Sequence, residues 1–204
     1  MTTADVDTPH GPARVELHLA DEAGAGLLLG HGAGGGIGAP DLVAVAGAAR
    51  KQGVHVALVE QPYRVAGRKA PAPAKQLDAA WLAVVEELSG RWFEGLPLVF
   101  GGRSSGARVA CRTAETGQAD AVLCLAFPEH PPGKPEKSRQ GELDGVGVPT
   151  LVVQGDKDPF GRPEPGPHRE IVMVPGDHSL KADLDGVARS TSEWLARVTR
   201  PLVS

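Results

Sequence analysis

Short runs of mostly apolar residues recur along the chain, separated by stretches rich in glycine and proline. They lie at 27–29, 54–59, 96–100, 121–126, 150–153 and 171–174. Continuous apolar runs of this length are typical of parallel strands that are covered on both faces. An earlier segment differs, because Val15, Leu17 and Leu19 alternate with polar residues. That alternation predicts a half-buried strand near the start of the chain.

Apolar positions at helical spacing lie between several of these predicted strands. The clearest stripe consists of Leu77, Trp81, Val84, Val85 and Leu88. A second stripe, near the C-terminus, consists of Leu184, Val187, Trp194, Leu195 and Val198. Weaker helical patterns follow Pro40 and Ser104. Strands that alternate with amphipathic helices predict a three-layer α/β fold, with a mostly parallel sheet between helices on both faces.

The chain has 204 residues, which is enough for one sizeable core and too few for two ordinary domains. We expect a single domain over 14–204 and a flexible N-terminal segment over the polar residues 1–13. Two polar segments interrupt the alternation. Residues 61–75 are rich in Pro, Gly, Arg and Lys and predict an ordered surface loop. Residues 128–147 predict a flap or a disordered excursion, and they are too few to form a cap domain.

Candidate chemistry appears directly after the strand predicted at 96–100, where residues 102–106 read Gly-Arg-Ser-Ser-Gly. Serine becomes a nucleophile only when it is exposed, next to a base, and near donors for the developing oxyanion. A Gly-x-Ser-x-Gly turn between a strand and a helix supplies the exposure, and Ser104 is therefore the candidate nucleophile. The alternative is a glycine-rich helix start in which Ser104 is only the N-cap.

The residues after two later predicted strands complete the pattern. Asp156 and Asp158 follow the strand at 150–153, and His178 follows the strand at 171–174. The order serine, acid, histidine is that of a serine hydrolase triad on a parallel sheet, and loops at the carboxyl ends of such strands meet at one edge. We therefore predict that His178 is the general base and that Asp158 orients its imidazole.

A glycine-rich loop at 30–36 supplies a further part of the predicted active site, and it also supports the main alternative function. Its sequence is Gly-His-Gly-Ala-Gly-Gly-Gly, and it follows the strand predicted at 27–29. The backbone amides of Ala33 and Ser105 are the predicted oxyanion donors, and His31 is the predicted brace of the loop. The same loop fits a G-x-G-x-x-G nucleotide fingerprint, with Glu60 placed to bind a ribose hydroxyl. The nucleotide-binding interpretation does not explain the ordered pattern of serine, aspartate and histidine.

Composition limits the function classes. A net charge of −4 gives no electrostatic case for nucleic acid or an anionic membrane as a partner. No apolar stretch reaches the length of a membrane span, and the polar N-terminus does not resemble a signal peptide. Cys111 and Cys124 lie in apolar stretches, which predicts buried thiols in a reducing compartment. We expect a cytoplasmic protein with a small-molecule substrate, and the sequence carries no signal for its oligomeric state.

The combined motifs resemble one α/β-hydrolase family, the small predicted hydrolases related to the testis-expressed 30 protein and distantly similar to dienelactone hydrolases. The resemblance covers about 27–194 and is carried by the segments 30–34, 62–63 with 67–71, 101–106, 153–161 and 176–179. It implies an α/β-hydrolase fold without a cap domain, and neither a metal nor an organic cofactor. It places the triad at Ser104, Asp158 and His178, which leaves Asp156 to cap the turn. A hydrolase fold used as an interaction module remains an alternative.

Overall fold

The computed structural model describes residues 2–199, which form an eight-stranded sheet with helices on both faces. The strands are β1 (Thr2–Val6), β2 (Ala13–His18), β3 (Ala25–Gly30), β4 (Val54–Glu60), β5 (Leu98–Arg103), β6 (Ala121–Leu125), β7 (Thr150–Gly155) and β8 (Arg169–Val174). The helices are α1 (Pro40–Lys51), α2 (Pro62–Val65), α3 (Ala74–Ser89), α4 (Ser105–Thr113), α5 (Gln140–Asp144) and α6 (Leu184–Val198).

The strands are ordered β1-β2-β4-β3-β5-β6-β7-β8 across the sheet. The pairs from β4 to β8 in this order are parallel, whereas β1 and β2 are antiparallel to their neighbours. Each of the six apolar runs lies wholly or mostly in a parallel strand, which confirms the predicted α/β architecture. The carboxyl ends of β3, β5, β7 and β8 therefore lie at the same edge of the sheet.

Successive strand residues direct their side chains to opposite faces, and this divides the core into two layers. On one face, Leu28 and Phe100 pack with Trp81 of α3. On the other face, Leu27 packs with Trp194 of α6. The apolar stripes predicted for α3 and α6 are thus the surfaces that cover the sheet. Among residues 2–199, no helix is both long enough and apolar enough to pass through a bilayer.

The N-terminal segment differs from its prediction. The sequence predicted flexibility over 1–13, but Thr2–Val6 forms the edge strand β1, in antiparallel register with β2. Val6 pairs with Ala13, and both side chains are buried. The strand was not predicted because its residues are mostly polar. An edge strand is held mainly by backbone hydrogen bonds to its neighbour and needs few apolar side chains.

The two polar segments are more structured than their composition indicates. Residues 61–75 begin with the short helix α2, and Tyr63 of that helix is buried. Residues 128–147 contain α5, and Leu143 of that helix packs into the core. Glu142 of α5 also accepts two hydrogen bonds from Arg108, at 2.8 and 2.6 Å. The predicted flap is therefore an ordered excursion that lies against α4.

Cys111 and Cys124 are both buried, as predicted, and their sulfur atoms lie 3.5 Å apart. The hydrogen bond between the two thiols, together with burial, raises the pKa of Cys124 well above its usual value. Both thiols are therefore packing groups of the core between α4 and β6.

Candidate active site

Ser104 lies in a sharp turn between β5 and α4. Its backbone has φ 52° and ψ −111°, a conformation that L-residues rarely adopt. The amide of Ser104 donates to the carbonyl of Leu125, 2.9 Å away, and so fixes the turn above the end of β6. Strain of this kind persists only where surrounding contacts enforce it, and it is typical of functional positions.

The two glycines of the motif let the turn lie close to the glycine-rich loop. A Cβ atom on Gly102 would lie 2.7 Å from the carbonyl oxygen of Gly30, and one on Gly106 would overlap the same carbonyl. No side chain fits at either position. The G-x-S-x-G spacing therefore reflects the close approach of α4 to the end of β3.

Three side chains from three different loops meet at this turn. Oγ of Ser104 lies 2.9 Å from Nε2 of His178, and Nδ1 of His178 lies 2.8 Å from Oδ2 of Asp158. The Asp158 side chain is fully buried and the His178 side chain is 17% exposed. A proton on Nδ1 of His178 satisfies both contacts, since it leaves Nε2 to accept from the serine hydroxyl. Because the Ser104 hydroxyl does not cap α4, the N-cap alternative is wrong.

The two neighbouring aspartates have different surroundings. Oδ1 of Asp158 accepts from the amide of Phe160 at 2.8 Å, and its Oδ2 accepts from Nε2 of Gln154 at 2.9 Å. Oδ1 of Asp156 instead accepts from the amide of Gly176 at 2.8 Å, on the exposed side of the turn. Asp158 thus reaches the histidine, whereas Asp156 ties the turn after β7 to the loop after β8.

Phe160 contacts the histidine ring directly. The two rings stack with their centroids 4.1 Å apart and their planes inclined by 28°. This aromatic face covers one side of the imidazole and restricts its rotation. This contact was not predicted, because the position of Phe160 depends on how the turn after β7 folds.

Arg103, the residue before the serine, forms a second connection between the loops. Its Nε lies 2.9 Å from Oδ2 of Asp41, and its Nη2 donates to the carbonyl of His178 at 2.6 Å. The Asp41 side chain is fully buried in the first turn of α1. Burial raises the pKa of Asp41, and the positive charge of Arg103 opposes that shift. Sequence analysis missed this pair, since the two residues are 62 positions apart (103 − 41).

The glycine-rich loop is braced from two sides. Nδ1 of His31 lies 2.8 Å from the carbonyl of Gly32, and Nε2 of His31 accepts from the amide of Gln61 at 3.1 Å. Burial lowers the pKa of His31 below its usual value, which favours the neutral ring. The hydroxyl of Tyr63 donates to the carbonyl of Ala33 at 2.9 Å. His31 therefore has the structural role that the sequence predicted.

The amides of Ala33 and Ser105 face no competing acceptor. Within residues 2–199, neither N–H donates to a protein carbonyl or side chain. Both residues line the cavity that holds Ser104 and His178. Two free amides beside a serine are the arrangement that an oxyanion hole requires.

The cavity above Ser104 has a volume of about 830 Å³ and is open to solvent. Glycines of the segment 32–38 line one part of it, and Pro71, Pro128 and Phe160 are among its apolar lining residues. Its cationic lining residues are Arg103, Arg108, Arg139 and Lys181. In the described part of the chain, no separate domain lies over this opening, since 128–147 packs against α4.

The nucleotide alternative finds no support in this geometry. A dinucleotide fingerprint opens directly into a helix, whereas α1 begins only at Pro40, beyond the glycine-rich loop. Glu60 does not line the cavity. Among the described residues, no group of three or more His, Cys, Asp or Glu side chains is placed to hold a metal ion.

Solved structures of similar fold include serine hydrolases and esterases. A serine hydrolase without a lid from Xanthomonas campestris aligns over 96% of this chain and 94% of its own, with a TM-score of 0.79 and 21% identity. Dienelactone hydrolase from Anabaena variabilis aligns over 98% of both chains, with a TM-score of 0.77 and 19% identity. An esterase from Pyrococcus furiosus aligns over 98% and 91%, with a TM-score of 0.78 and 14% identity.

Similarity at these identities establishes the fold, which is the α/β-hydrolase fold that the motifs predicted. No significant match was found among curated protein sequences. A family model described as the alpha/beta hydrolase domain matches residues 23–199, which include every strand and loop that forms the site. The chain therefore belongs to the α/β-hydrolase family.

Proposed function

We propose that this protein is a serine hydrolase that cleaves small esters or thioesters through an acyl-Ser104 intermediate. The observation that carries the proposal is the continuous chain of contacts from Ser104 through His178 to the buried Asp158. The serine hydrolases and esterases of the same fold support it. An interaction module would have no need for such a chain or for the strained backbone at Ser104.

Acylation begins when Nε2 of His178 accepts the hydroxyl proton of Ser104 and Oγ attacks the carbonyl carbon of the substrate. The buried carboxylate of Asp158 stabilises the imidazolium that forms, since it lies beside Nδ1. The amides of Ala33 and Ser105 donate to the developing oxyanion. His178 then returns the proton to the leaving alcohol or thiol, and the acyl group remains on Oγ.

Deacylation repeats these steps with water as the nucleophile. Water enters from the open cavity, and His178 removes its proton during attack on the acyl-Ser104 carbonyl. Collapse of the second tetrahedral intermediate releases the acid and restores the hydroxyl of Ser104. All of these steps use side chains, backbone amides and water that this site can supply.

The cavity favours small substrates. Its walls are rich in glycine and in charged residues, so it offers little apolar surface for a long acyl chain. The neighbouring fold relatives provide no narrower assignment, because their identity to this chain is 14–21%.

Hydrolysis of p-nitrophenyl butyrate and of a butyryl thioester tests the proposal. Ser104→Ala should lower kcat by about 10⁴- to 10⁶-fold on both, since triad residues act as a unit. Ser179→Ala is the matched control, because Ser179 lines the same cavity but its hydroxyl donates to Asp177. Activity near the wild-type level in Ser104→Ala would contradict the proposal.

A further inference from the structure

Positive side chains outnumber negative ones on the walls of the cavity. Four cationic residues line it, and Asp41 is the only Asp or Glu among the described lining residues. The buried carboxylate of Asp41 is already paired with Arg103. Whether the remaining cations are available to a ligand depends on their other partners.

The partners of Arg108 are internal. Its guanidinium donates twice to Glu142, at 2.8 and 2.6 Å, in a bidentate pair that is only about a quarter exposed. The pair of parallel N–H donors that a carboxylate ligand would need is thus already occupied by Glu142. Arg108 therefore fastens α5 to α4 and contributes little free charge to the cavity.

Arg139 is different. Its Nη1 donates to the carbonyl of Pro128 at 3.0 Å, and within residues 2–199 no carboxylate lies within ion-pairing distance of its guanidinium. Partial burial, followed by the positive charge of Arg108, lowers the pKa of Arg139, and the negative charges of Glu142 and Glu129 oppose that shift. A guanidinium in these surroundings retains donors for an anion, and the anion would relieve both unfavourable effects.

We propose that Arg139 binds a carboxylate of the substrate, so that this hydrolase prefers small anionic esters. The inference rests on the proposed function, because it assigns the substrate class of the same site. The planar guanidinium matches a carboxylate in a bidentate geometry. The exposed Lys181 adds a second positive charge on the cavity wall.

The basic loop at 61–75 is not the source of this preference. Its cationic residues Arg64, Arg68 and Lys69 do not line the cavity. Arg68 instead lines a separate small depression together with His10 and Pro62. Arg68 therefore offers a control for loss of positive charge away from the site.

Two aryl acetates of similar shape test the proposal: 4-acetoxybenzoate, which is anionic, and 4-acetoxybenzamide, which is neutral. Each kcat/KM is divided by the rate of hydroxide-catalysed hydrolysis of the same ester, which removes the difference in intrinsic reactivity. The corrected ratio should favour the anion in the wild type. Arg139→Gln should lower it about tenfold, the effect expected from loss of a charged hydrogen-bond donor.

Two further variants separate charge from structure. Arg139→Lys should keep most of the preference because it keeps the charge, and Arg68→Gln should leave the ratio at its wild-type value. Equal losses of kcat/KM on both esters in Arg139→Gln would overturn the proposal, since they would show that Arg139 only anchors Pro128. An unchanged ratio in that variant would overturn it as well. A wild type that hydrolyses neither ester would instead contradict the proposed function.

Discussion

Nε of Arg103 lies 2.9 Å from Oδ2 of Asp41, a carboxylate that has no exposure to solvent. The same guanidinium donates to the carbonyl of His178 at 2.6 Å. The side chain of Arg103, the residue before Ser104, thus connects the serine turn to the first turn of α1 and to the loop that carries His178. Because the pair is buried, each partner depends on the other for compensation of its charge.

Asp41→Asn should destabilise the fold by about 3 kcal/mol, the cost of leaving a mostly buried charge without its partner. It should also lower kcat on p-nitrophenyl butyrate, because Arg103 no longer holds the His178 loop in one position. Urea unfolding and steady-state kinetics measure the two effects. Asp5→Asn is the matched control, since Asp5 and Arg14 form an ion pair that is roughly half exposed on both sides. That change should cost less than about 1 kcal/mol. Equal losses of stability in the two variants would contradict the role given to the buried pair.

The two aspartates after β7 should differ strongly in their effect on catalysis. Asp158→Asn should lower kcat about 10⁴-fold, because an amide beside Nδ1 favours the wrong imidazole tautomer. Asp156→Asn should lower it less than about tenfold, since the Asp156 carboxylate accepts from the amide of Gly176 on the exposed side of the turn. Steady-state kinetics on one ester decides between them. The reverse ranking would move the acid to Asp156.

Acyl chain length should have an early optimum. A fully buried methylene contributes about 0.8 kcal/mol to binding, but this open cavity has too little apolar wall to bury more than the first few carbons. We expect kcat/KM on p-nitrophenyl esters to peak between acetate and butyrate and then to stay flat or fall, without interfacial activation. A steady rise through octanoate, measured below the micelle threshold, would reveal an apolar channel that this geometry lacks.

Stability should fall as the pH decreases below about 6.5, and His31 should contribute to that slope. Burial lowers the pKa of His31 below 6.5, so the unfolded chain takes up the proton at a higher pH than the folded chain does. The stabilising contribution of the neutral ring is therefore present above pH 6.5 and is lost as the pH falls. His31→Gln should flatten the dependence of the urea midpoint on pH. His55→Gln should flatten it less, because that ring is only partly buried. An unchanged slope in His31→Gln would show that His31 is not buried in its neutral form.

Much of the fold follows from patterns that act locally. Parallel strands that are covered on both faces need continuous apolar runs, and the stripe that includes Trp81 can be buried only against the sheet. Chain order and strand context also predicted that Ser104, Asp158 and His178 lie at one edge of the sheet, because loops after parallel strands share that edge. The contact distances between these side chains agree with that prediction.

What sequence analysis missed depends on contacts between distant segments. The edge strand β1 is held by backbone pairing with β2, which leaves little trace in residue type. The pair of Arg103 with Asp41 and the stacking of Phe160 on His178 exist only after the loops have closed. An arginine beside the serine and an acid in the first turn of α1 are too common to indicate such contacts in advance.

Labelling with a fluorophosphonate probe tests the central claim most directly, because the probe reacts with a serine only when a base and an oxyanion site activate it. We predict stoichiometric labelling of the wild type, with the modified peptide mapped by mass spectrometry to Ser104. Ser104→Ala should not be labelled, although it folds, and Ser179→Ala should be labelled like the wild type. A folded wild-type protein that resists the probe, or a label that maps to Ser105 or Ser179, would contradict the assignment of Ser104 as the nucleophile.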